Sequence, residues 1–147
     1  MPPSSYGGVH RTTWKKGEQT LAHFFSTTRT PLSGGNSKAT RSDTLHPKLY
    51  FEMKKGKYVP RQFSGIVELY RTTEARAEKE KKLPVLVLRP AGTCAPTAQW
   101  MAWVRLTHLG IPHDMVVSMS LGDLREFLGM NGLPEPAQVP GVDDLPA

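Results

Sequence analysis

Residues 83–89 read Leu-Pro-Val-Leu-Val-Leu-Arg, an almost wholly apolar run with charge on either side of it. Its length suits a strand, and apolar residues at both odd and even positions mean that both faces are buried. A strand of this kind needs cover on two sides. Helical patterns lie before and after it, and helices alternating with buried strands imply an α/β domain with a mixed sheet.

The remaining segments supply that cover. Trp14 to Ser26 has a helical pattern, with Trp14, Leu21, Ala22, Phe24 and Phe25 favouring one side. Residues 27–40 contain Pro31, Gly34, Gly35 and Asn36, the chemistry of turns that join short strands. Lys48 to Lys54 alternates: Leu49, Phe51 and Met53 point one way, Tyr50, Glu52 and Lys54 the other. Lys55-Gly56-Lys57 ends that strand. Gln62 to Lys82 reads as a long helix buried through Phe63, Ile66, Val67, Leu69 and Tyr70, with a solvated charged end over 76–82. Residues 99–109 fit helix or strand, and their apolar side chains suit a core or a dimer interface. A strand over 114–120 and a helix over 121–130 follow, with Ser120 as cap and Asp123 in the first turn. The expected organisation is a flexible basic arm over 1–13, one domain over 14–130 and a Pro-rich tail over 131–147.

A chain of 147 residues is long enough to bury one core without staples. The single cysteine, Cys94, forms no internal disulfide. The five histidines (His10, His23, His46, His108, His113) are scattered, which argues against a structural zinc. No stretch has the length and apolarity of a membrane span or signal peptide, so no membrane association is expected and the cytoplasm is the default compartment. Charge is unevenly placed. Residues 1–61 hold 11 Lys/Arg and three acids, a net of +8, while residues 62–147 carry a net of −2. A basic half suits a polyanion, because each cation placed on a phosphate releases a counterion. It also suits a merely solvated face.

Within that basic half stand a few acids. Glu52 and Lys54 share one strand face, and Asp43 lies nine residues before Glu52. If the chain turns over 43–47, Asp43 returns beside Glu52. Two carboxylates and a lysine then meet, which suits phosphodiester hydrolysis: the acids hold Mg²⁺ through oxygen, and the lysine stabilises charge on the phosphate. The same Glu-x-Lys spacing also makes an ordinary ion pair on a strand.

Asp43 followed by Glu52-Met53-Lys54 at the end of an apolar strand resembles the core of the PD-(D/E)XK nuclease superfamily. Upstream lie Glu18 in a first helix and Leu32-Ser33-Gly34-Gly35-Asn36. Downstream lie a helix and the strand over 83–89. This order is similar to that of the small Holliday-junction resolvases of archaea and phages, and the likeness spans residues 14–89. It departs from the superfamily at Ser42, where proline often stands, and in the polar stretch 43–48.

The resemblance implies a restriction-endonuclease-like mixed sheet flanked by helices, and a Mg²⁺-dependent DNA endonuclease in which Mn²⁺ substitutes. It also implies a homodimer working in a bacterial or phage-infected cell. Asp43, Glu52, Lys54 and Glu18 would be catalytic, with Asp43, Glu52 and Glu18 on the metal. Ser33, His46 and Gln62 would be accessory, although His46 also reads as an exposed loop residue and Gln62 as a helix-start polar residue. Lys15, Lys16, Lys38, Arg41, Lys55, Lys57 and Arg61 would line the DNA backbone. The alternatives are a sequence-specific homing or restriction-type nuclease, and a DNA-binding protein that keeps the fold without the chemistry.

Overall fold

The computed structural model describes residues 5–30, 40–89 and 95–131, with the backbone alone over 5–14 and 130–131. Ser33 and Lys38, two of the expected site residues, lie outside these, as do residues 1–4 and the tail beyond 131.

The apolar run is a strand with the predicted bounds, β2 (Leu83–Arg89), and its five middle residues are buried. It lies inside a four-stranded sheet of order β1-β2-β3-β4, with β1 Leu49–Lys55, β3 Met101–Arg105 and β4 Val116–Ser120. β1 runs parallel to β2, pairing Leu49 with Leu83 through Lys55 with Arg89, and the other two pairings are antiparallel. The sheet is therefore mixed and the fold is α/β. The ambiguous segment 99–109 resolves into β3 and a short 3-10 turn, Leu106–Leu109. Trp100, Ala102, Val104 and Leu109 are core residues, which accounts for the apolar character of that stretch without a dimer interface.

Helices cover both faces. Leu21 and Phe25 near the end of α1 (Ser5–Phe24), and Leu121, Leu124 and Leu128 of α3 (Leu121–Asn131), join one core with Leu49, Phe51, Met53, Val85 and Val87. Tyr70 of α2 (Phe63–Glu80) joins the opposite core with Leu86 and Leu88, flanked by Ile66, Leu69 and Trp103. The alternation read along β1 thus sends its odd residues towards α1. The Ser120 hydroxyl accepts the Asp123 amide at 3.0 Å, the expected N-cap bond of α3.

Three expectations need correction. Helix α1 starts at Ser5, inside the stretch read as a flexible arm; once a turn exists, each further residue adds one hydrogen bond at little cost. Phe63 does not belong to the buried side of α2: at the first helical position it is 59% exposed and only leans on Trp103 of β3. The 76–82 end is only partly solvated: Ala77 is fully buried, and Glu80 reaches the loop before Asp43. None of the described helices is long and apolar enough to cross a membrane.

Candidate active site

The site residues gather at the free edge of β1, where unpaired strand amides need partners. Residues 42 and 43 supply them. The Phe51 amide donates to Ser42 Oγ at 2.8 Å, the Asp43 amide donates to the Phe51 carbonyl at 2.8 Å, and the Met53 amide donates to Asp43 Oδ2 at 2.7 Å. The turn foreseen over 43–47 therefore brings Asp43 back to the Glu52-Met53-Lys54 strand. Ser42 also fastens the turn through its own backbone. Its amide donates to Thr40 Oγ1 at 3.0 Å, a bond that proline cannot make.

Two further anchors hold the loop. Glu80, at the end of α2, accepts from the Thr40 hydroxyl and from the Arg41 amide, the latter at 3.0 Å. The loop also pairs with the segment after α1: Arg29 bridges Thr44, and the Thr30 amide donates to the Asp43 carbonyl at 3.1 Å.

Helix α1 delivers Glu18 to the same region. Gly17 sits against Met53, and a Cβ there would meet the Met53 methyl at 3.2 Å, so the helix comes close to β1 because this position is glycine. Glu18 is only 3% exposed, and Arg29 Nε donates to its Oε1 at 2.8 Å. Glu18 is thus a buried carboxylate with a cationic partner. Lys54 Nζ lies 3.0 Å from Glu52 Oε1, so the Glu-x-Lys spacing does form an ion pair.

Electrostatics ties the four groups together. Burial raises the Asp43 pKa well above the ordinary carboxylate range, the negative charges of Glu52 and Glu18 raise it further, and the Met53 amide and Lys54 only partly oppose them. Glu18 is raised by burial first; Arg29 pulls it down and Glu52 pushes it up. Burial therefore disfavours the charged form of both, with Glu52 adding to the effect on each and Glu18 adding to that on Asp43. An added cation would relieve that tension, and the donors on offer are carboxylate oxygens, which suit a hard, partly hydrated ion such as Mg²⁺. Among the described residues no group of three or more His, Cys, Asp or Glu side chains is placed so that it could hold a metal ion as it stands.

The other expected residues are dispersed. Lys15, Lys16, Arg41, Lys57 and Arg61 are exposed, while Lys55 is half-buried, its pKa lowered by burial and by Arg89 on the neighbouring strand. His46 is not the exposed loop residue favoured from sequence. It is half-buried, and its Nδ1 accepts the amides of Lys48 and Leu49 at 3.1 and 3.0 Å, which starts β1. Gln62 is the exposed residue just before α2 and makes no side-chain cap bond.

Two residues outside the expected set adjoin the site. Arg29, the partner of Glu18, is one of many cations in a basic segment, and nothing local marks it. Tyr50, two residues before Glu52 on the same strand face, is fully buried, and its hydroxyl has no partner among the described residues. Strand alternation alone places it there. No family model, curated protein or solved structure matches this chain.

Proposed function

We propose that this protein is a Mg²⁺-dependent DNA endonuclease of the PD-(D/E)XK type, built on a restriction-endonuclease-like version of its mixed α/β sheet. The observation that carries the reading is the convergence of Asp43, Glu52, Lys54 and Glu18 at the edge of β1, where burial first, and then the charges of Glu52 and Glu18, hold Asp43 well above its ordinary pKa.

Asp43, Glu52 and Glu18 would hold the metal, which when bound supplies Lewis acidity at the phosphodiester and activates water. The chain's own residues do the positioning. The Met53 amide fixes one oxygen of Asp43, and the other takes no part in that bond. The pairing with Glu52 fixes Lys54 Nζ, which stays partly exposed and would stabilise charge growing on the phosphate. Lys15, Lys16, Arg41, Lys57 and Arg61 carry the DNA backbone, and two copies would serve two strands.

The deciding experiment is a cleavage panel in Mg²⁺ with linear duplex, nicked, single-stranded and four-way-junction DNA at equal concentration. Metal-dependent cutting that favours the junction supports a resolvase-like enzyme. Cutting of linear duplex at fixed sequences identifies a restriction-type enzyme. No cutting of any substrate in Mg²⁺ or Mn²⁺ refutes the nuclease reading. One observation favours a non-catalytic DNA-binding protein instead: each acid already has an internal partner, Arg29 for Glu18, Lys54 for Glu52 and the Met53 amide for Asp43. That protein would bind DNA with steep salt dependence and never turn over.

A further inference from the structure

The loop that leaves the Lys54 strand and the first residue of α2 hold two aromatic rings out of the core. Tyr58 is 66% exposed and Phe63 59%, the highest values among the large apolar side chains described. The backbone beneath them is anchored. Val59 packs against the α2-side core, its amide donates to the Gly56 carbonyl at 3.1 Å, and Pro60 sits so close to α2 that a Cβ on Gly65 would meet it at 3.1 Å. Phe63 leans on Trp103 with centroids 5.6 Å apart, which braces the ring while much of it stays in water. Lys57 Nζ lies 5.4 Å from the Tyr58 centroid.

The chain between Glu52 and Glu68 carries charge of one sign, with Lys54 at its start paired to Glu52. From residue 53 to residue 67 there are four cations, Lys54, Lys55, Lys57 and Arg61, and no acid. Exposed rings on a braced backbone among cations match a single nucleic-acid strand, whose phosphates seek the cations and whose unstacked bases seek an aromatic face. A closed duplex keeps its bases stacked internally and offers these rings nothing.

We propose that Tyr58 and Phe63 form a stacking platform for unpaired bases, with Lys57 and Arg61 on the adjoining phosphates. The proposal deepens the nuclease reading by naming unpaired bases beside the cut site as a substrate feature, and it rests on that reading only for where the cut falls.

The test uses the full chain in EDTA, so that nothing is cut, with 2-aminopurine in the splayed arms of a forked DNA and in a blunt duplex as control. Binding of the wild type should change the fork's 2-aminopurine fluorescence and be tighter for the fork. Tyr58→Ala and Phe63→Ala should each weaken fork binding about tenfold and duplex binding less than about twofold. Tyr58→Phe, which keeps the ring, should bind as the wild type does. Phe63→Leu keeps apolar bulk against Trp103, so it should be as weak as Phe63→Ala while melting near the wild-type temperature. Equal loss on fork and duplex, or no loss, overturns the platform. So does a wild-type dimer that the alanine variants dissociate in sedimentation, since the patch would then be a self-interface. The two readings fail separately: a chain that prefers forks but never cuts sinks the nuclease, and a chain that cuts without fork preference sinks the platform.

Discussion

Two part-buried groups of carboxylates and cations in this molecule have opposite electrostatic characters. Around Glu74, Arg105 donates from Nε and Nη2 to the two carboxylate oxygens at 2.7 and 2.8 Å, and His108 Nε2 lies 2.8 Å away. Burial pushes the Glu74 pKa up, but the Arg105 and His108 bonds outweigh it and hold the group at about 2. Around Asp43 the balance reverses, because burial and two neighbouring acids raise its pKa. One acid faces matched cations and fastens α2 to the end of β3. The other is buried beside two acids, which disfavours its charged form. Side chains that stabilise a fold are arranged like the first group, whereas perturbed groups of the second kind concentrate at functional sites.

Crossed substitutions would break this contrast if it is wrong. The largest effect is expected at the crowded site: Asp43→Asn or Glu52→Gln should abolish cleavage, by a factor above about 1,000 in single turnover, with DNA binding retained. Asp43→Asn should also raise the melting temperature, because it removes a charge that the fold opposes and keeps an acceptor for the Met53 amide. A folded-state pKa above the unfolded value means that Asp43 loses stabilising influence as pH rises from about 3.8. The gap between variant and wild type should therefore widen with pH. Normal Mg²⁺-dependent turnover in both variants would end the assignment.

Lys54→Ala should slow cleavage about 100-fold with metal affinity nearly unchanged, as for loss of a preorganised group on the transition state. Calorimetry showing lost metal binding, with a normal rate at saturating metal, would make Lys54 structural. Glu18→Gln should cost about tenfold in rate and be partly restored by Mn²⁺. An unchanged rate with a lowered melting temperature would assign Glu18 to the Arg29 pair alone, and would remove the main reason for preferring junction resolvases.

At the matched cluster the pattern should invert. Glu74→Gln should leave cleavage intact and lower stability by about 2 kcal/mol, read by urea melts at neutral pH. Because its folded pKa is depressed, the Glu74 contribution is present above about pH 4.5 and is lost as pH falls towards 2, so wild type and variant should converge in acid. The smallest effect concerns His46, whose pKa is lowered by burial and by Lys82 and Lys48. Its neutral ring accepts two amides, so that stability holds above about pH 6.5 and is lost as pH falls through the lower folded value. Thermal melts between pH 7.5 and 5 should show a slightly steeper decline for wild type than for His46→Gln.

Much of this fold was legible before the structure. The run at 83–89 had to be an interior strand because both of its faces are apolar, and the alternation over 49–54 assigned each β1 side chain to a face. Ser120 announced α3. The boundaries of α1 and the exposure of Phe63 were less legible, since each depends on where a helix end meets the sheet. At the candidate site, chain spacing alone suggested that Asp43 returns to Glu52.

The sequence by itself determined periodicity, charge and the candidate residues, because these follow from local backbone geometry and composition. Tertiary structure alone decided the partners: Arg29 on Glu18, Glu80 on the Thr40–Arg41 loop, Arg105 on Glu74. These contacts join residues 11, 39 or 40, and 31 positions apart. No local pattern encodes them, since a salt bridge needs only two opposite charges brought within about 4 Å, and packing of the helices on the sheet selects which charges meet.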